Sequence, residues 1–72
     1  MTEQEFLTKM KDDVLLTEDE IKMTTNLDDI VEWDSLGFVN FIAFAKLATG
    51  RKITRVMVES AKTVRDLFEM LK

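Results

Sequence analysis

The sequence predicts an all-α domain of four helices, one of them short. Three observations point that way. Apolar residues recur at helical spacing in separate segments of the chain. No run alternates apolar and polar residues as a half-buried strand does, and no hairpin turn signal occurs. Proline is absent and only two glycines are present, so nothing interrupts long helices.

The first helix is expected from Thr2 to Val14. Phe6, Leu7, Met10 and Val14 fall within an arc of about 100° at helical periodicity, a core-facing stripe. Thr2, Glu3 and Glu5 supply a cap and acids where the helix dipole is positive. From Leu15 to Asp34 the pattern dissolves into a long connection. Thr17 with Glu20 fits a capping box, which predicts a helical turn from Glu18 to Met23 or an extension of the first helix. Leu27 and Ile30 interrupt a turn-prone run and should pin the loop to the bundle. Connections this long are unusual in small domains and often carry function.

The second main helix runs from Ser35 to Thr49, with Asp34 or Ser35 as N-cap and Gly50 at the C′ position. It is apolar nearly all round. Leu36, Val39, Ala43 and Leu47 make one stripe; Phe38, Phe41, Ile42 and Ala45 make another on roughly the opposite side. A few short helices cannot wrap a central one completely. Either one stripe stays bare until a partner covers it, the aromatic one being the core, or the 15–34 loop folds over it. Thr54 then caps a brief third helix through Glu59. Thr63 with Asp66 repeats the capping box before Val64, Leu67, Phe68 and Leu71, the stripe of the last helix.

The 72 residues make one domain, 1–72, and 46% apolar content argues against disorder. Neither cysteine nor histidine occurs. Disulfides, thiolate metal sites, the usual zinc ligands and the commonest general base are therefore excluded. No arrangement of nucleophile, acid and base suggests an enzyme. No apolar run reaches the length of a membrane span and no secretion signal opens the chain, so a soluble cytoplasmic monomer is expected. Residues 1–34 hold eleven acids against Lys9, Lys11 and Lys22, whereas 35–72 hold seven bases against Glu59, Asp66 and Glu69. The halves attract each other across the fold, or the second half offers a partner a basic surface. Scattered bases without an aromatic-basic motif argue against nucleic acid.

Trp33-Asp34-Ser35-Leu36-Gly37 stands where the long loop meets the most apolar helix. At a helix N-terminus, unbonded backbone N–H groups and the dipole favour an anion, so a phosphate ester on Ser35 would be well placed. Asp34 would repel that phosphate, yet could cap the helix or bind a cation. A plain Asp-Ser helix cap is the simpler reading of these letters alone.

Asp34-Ser35-Leu36 after Leu27-Asp28-Asp29, followed by Ile53 and by Ala61-Lys62-Thr63-Val64-Arg65-Asp66-Leu67, resembles the acyl carrier protein family over nearly the whole chain. The resemblance implies an acyl-carrier-protein-like four-helix bundle with a long loop between the first and second main helices and a short third helix. It implies that Ser35 is esterified with 4′-phosphopantetheine, given by coenzyme A through a phosphopantetheinyl transferase. The arm's thiol would carry acyl groups between acyl-loading and acyl-accepting enzymes, supplying sulfur to a chain without cysteine. By the same resemblance Asp34 and Leu36 serve transferase recognition, and Leu36, Val39 and Ala43 form the partner-binding face. Phe38, Phe41, Ile42 and Ala45 would line a core that opens around an acyl chain.

The chain also departs from that family. Carriers of bacterial fatty acid synthesis usually have an acidic second helix, whereas here Gly37, Asn40, Lys46 and Leu47 stand where acids would often be. A specialised pathway with apolar docking is the expectation. A peptidyl or aminoacyl carrier would share the arm, but those domains more often show Gly-Gly or Gly-His/Asp before the serine, unlike Glu32-Trp33-Asp34. A helical protein-interaction module is the alternative from another class.

Overall fold

A computed structural model describes residues 1–72. Four helices build it: α1 (Glu3–Lys9), α2 (Ser35–Thr49), α3 (Arg55–Ser60) and α4 (Val64–Met70). No strand is present, and no helix is long and apolar enough to cross a membrane.

Local side-chain chemistry sets the helix ends where the sequence indicated. Thr2 and Glu5 close a reciprocal capping box at α1, and Thr63 and Asp66 close another at α4. Hydrogen bonds to the charged form hold the Asp66 carboxyl below its ordinary range: the backbone N–H groups of Lys62 and Thr63 donate to it. Thr54 caps α3 by accepting from the Met57 N–H. Gly50 ends α2 at φ 73°, a left-handed conformation that costs glycine nothing.

Beyond Lys9 the first helix widens into a π-helical segment, Met10–Leu15. Its end is exceptional: Leu16 adopts φ 52°, the one non-glycine residue in the left-handed region. The Asn40 side chain, from α2, donates to the Val14 carbonyl at 3.1 Å and so ties α2 to that segment.

The expected helical turn from Glu18 to Met23 does not form. Leu16 reverses the chain, and Thr17 Oγ1 accepts from the Asp19 N–H instead of opening a helix. Ile21 and Met23 are both buried. Positions two apart share a face in extended chain but stand on nearly opposite sides of a helix, so core burial selects the extended form. A 3₁₀ turn follows at Leu27–Asp29, and Leu27 and Ile30 are buried as expected. Three backbone hydrogen bonds stitch the connection to the start of α4. Leu27 N–H donates to Lys62 O at 2.8 Å, Val64 N–H to Thr25 O at 3.1 Å, and Arg65 N–H to Met23 O at 2.9 Å.

One apolar cluster fills the interior, and no polar side chain is buried within it. Phe6 lies at its centre, 5.1 Å from Phe68 and 6.3 Å from Phe44, ring centre to ring centre. The expected core stripe of α2 needs correction. Phe41 and Ala45 are buried, but Phe38 and Ile42 are only partly so, while Phe44 and Gly37 are buried. At 100° per residue the inner face is turned by roughly 60° from the predicted stripe. Of the four ion pairs only Glu3–Arg65, at 3.4 Å, joins the acidic and basic halves, and it is exposed. Their mutual attraction is therefore weak.

Candidate functional site

The loop reaches α2 through two tight turns. Trp33 N–H donates to Ile30 O and Asp34 N–H to Glu32 O, each at 3.1 Å. Trp33 then packs edge-on against Phe38, with ring centres 5.0 Å apart, and against Phe41 at 6.2 Å. Gly37 makes this close approach possible. A Cβ on it would stand 2.9 Å from the Glu32 carbonyl oxygen and 3.3 Å from Trp33 Cε3.

Asp34 is the N-cap of α2. Its Oδ1 accepts from the Leu36 N–H at 3.0 Å and from the Gly37 N–H at 3.3 Å. This corrects the electrostatic expectation for Ser35. Two of the first-turn donors that an anion might have used, the Leu36 and Gly37 N–H groups, are already engaged by a carboxylate.

Ser35, the first residue of α2, is exposed. Its Oγ accepts from Arg55 Nη2 of α3 at 3.3 Å. The Arg55 guanidinium lies 5.5 Å from the Phe38 ring centre, and its Nε donates to Glu59 Oε1 at 2.9 Å. Neither the Asp-Ser-Leu motif nor helical periodicity could have found Arg55, because the contact spans 20 residues of sequence. An exposed hydroxyl with a guanidinium in hydrogen-bond reach is a donor set that fits a phosphoester.

The aliphatic stripe of α2 is bare. Leu36 is 65% exposed, Val39 58% and Leu47 89%, and Ala43 is exposed with them. The 15–34 loop does not cover it. Val56 and Met57 of α3 add further exposed apolar surface. Gly37 and Asn40, which stand where the resembled family would often have acids, face Trp33 and the Val14 carbonyl. The residues expected to line an acyl cavity border no surface depression of the molecule. Phe38 and Phe41 pack against Trp33, and Phe41 also against Phe44 at 6.2 Å.

No family model matches the chain, and neither a curated protein nor a solved structure does. The fold and site define a mainly helical chain of four helices that holds an exposed serine at the head of its longest helix.

Proposed function

We propose that this chain is an acyl carrier protein with an acyl-carrier-protein-like bundle. It would have no catalysis of its own and would carry a 4′-phosphopantetheine arm on Ser35. The observation that supports it most is the exposed Ser35 hydroxyl, fixed at the start of α2 beside a bare apolar stripe. In the attachment, Ser35 Oγ bonds to the phosphorus of the pantetheine phosphate. The pyrophosphate bond of coenzyme A breaks, adenosine 3′,5′-bisphosphate leaves, and the hydroxyl proton departs to a base of the transferase. When bound, the arm supplies a thiol that holds acyl groups as thioesters.

The chain's own residues present that arm. Asp34 fixes the first turn through two N–H groups, and Trp33 locks the turn onto Phe38 and Phe41. Asp34 and Leu36 flank the serine for the transferase, and Leu36, Val39 and Ala43 offer partners an aliphatic face. No acid occurs along α2, so docking is apolar and little affected by salt, as in a specialised rather than a general pathway.

Incubation with coenzyme A and a broad-specificity phosphopantetheinyl transferase, followed by mass spectrometry, tests the reading. The intact protein gains one arm and Ser35→Ala gains none. An unmodified wild-type mass would sink the proposal in favour of a helical interaction module, which the same bare stripe would serve.

A further inference from the structure

Negative charge surrounds Ser35 before any ester is formed. Asp34 precedes it, and Glu59 accepts from Arg55 Nε at 2.9 Å. A phosphodiester on Ser35 adds another negative charge. The α2 N-terminus is poorly placed to balance it, since Asp34 Oδ1 already takes the N–H groups of Leu36 and Gly37. One cation in the structure reaches the serine oxygen, and that cation is Arg55, with Nη2 at 3.3 Å.

Arg55 is held in position from several directions. It is the first residue of α3, whose start is fixed by the Thr54 cap. Its planar guanidinium lies against Phe38, and Phe38 is in turn packed edge-on by Trp33. A guanidinium carries five N–H donors in a flat fork. The Nε bond to Glu59 leaves Nη2 to donate to Ser35. A lysine would supply charge without the planar fork or its paired donors.

We infer that Arg55 is the positioning residue for the phosphodiester on Ser35. It supplies the countercharge that the capped helix end lacks and holds the root of the arm towards α3. This rests on the carrier reading above. Glu59 competes with the ester for the guanidinium, so its loss strengthens the contact.

Apo and holo forms of the wild type, Arg55→Gln and Glu59→Gln are prepared with the transferase, and each mass is verified. Melting temperatures, the ³¹P resonance and the Arg55 Nε–H resonance are then recorded. In the wild type the arm raises the melting temperature by roughly 1–5 °C, the scale of an exposed charge pair in a domain this small. Arg55→Gln abolishes the gain and moves the ³¹P resonance; Glu59→Gln enlarges the gain. Comparing holo with apo inside each variant removes any change in the stability of the fold itself. Equal gains and one ³¹P position in wild type and Arg55→Gln would overturn the inference while leaving the carrier intact. If Arg55→Gln refuses the arm, wild type against Glu59→Gln decides. Equal gains with an unmoved Nε–H resonance then overturn it. Absence of the arm from every variant removes the carrier reading and this inference together.

Discussion

The two sides of α2 are built from similar letters and live in different surroundings. Phe41, Phe44 and Ala45 are buried in the one apolar cluster, with Phe44 against Phe6 and Phe41 against Trp33, whereas Leu36, Val39 and Leu47 on the same helix stand in water. Composition does not separate them, since both sides are apolar. What separates them is which neighbours the rest of the chain supplies. The inner side holds the fold together; the outer side contributes little to it and is free to serve something else.

Substitutions can break or sharpen that contrast. The largest effect is expected from Phe41→Ala, which leaves a cavity beneath Trp33 and Phe44. A loss of about 3–5 kcal/mol takes most of the stability of so small a domain, and urea unfolding followed by circular dichroism measures it. Retention of near-wild-type stability would show that the inner side is not the core. Gly37→Ala comes next and tests a sign. Helix propensity alone favours alanine by about 1 kcal/mol. The added Cβ meets the Glu32 carbonyl at 2.9 Å, however, and backbone yields poorly. A net loss of roughly 1–3 kcal/mol is expected in the same assay, and a gain would mean that the Trp33 turn moves freely. The smallest effect belongs to Val39→Ala. Stability changes by no more than about 0.5 kcal/mol, so any weakening of enzyme docking by this variant reports on the surface alone. A loss above 1 kcal/mol would place Val39 in the core.

Local chemistry was the most legible part of the sequence. The caps at Thr2, Thr54 and Thr63 and the stop at Gly50 each depend on one side chain or glycine meeting adjacent backbone, so short spacing reveals them. The bare stripe of α2 was also readable, because few helices were available to cover it. The rotation of the inner face towards Phe44 was not. It depends on where Trp33 and the π-helical segment lie, and periodicity within α2 carries no information about them. Thr17 and Glu20 misled because a capping pattern is silent about Leu16, whose left-handed turn directs the chain elsewhere. At the site, Ser35 and Asp34 were apparent as a helix start, whereas Arg55 required the packing of α3 on α2.

The stitching of the long connection to the head of α4 has a consequence for biosynthesis. The carbonyl of Lys62 and the amides of Val64 and Arg65 complete the path that delivers the chain to Ser35. A nascent polypeptide on the ribosome cannot make those bonds until residues 62–65 have been translated and have left the exit tunnel. The serine is therefore synthesised before its surroundings are finished, and a modifying enzyme that needs the folded turn must wait until residues 62–65 are free to pair.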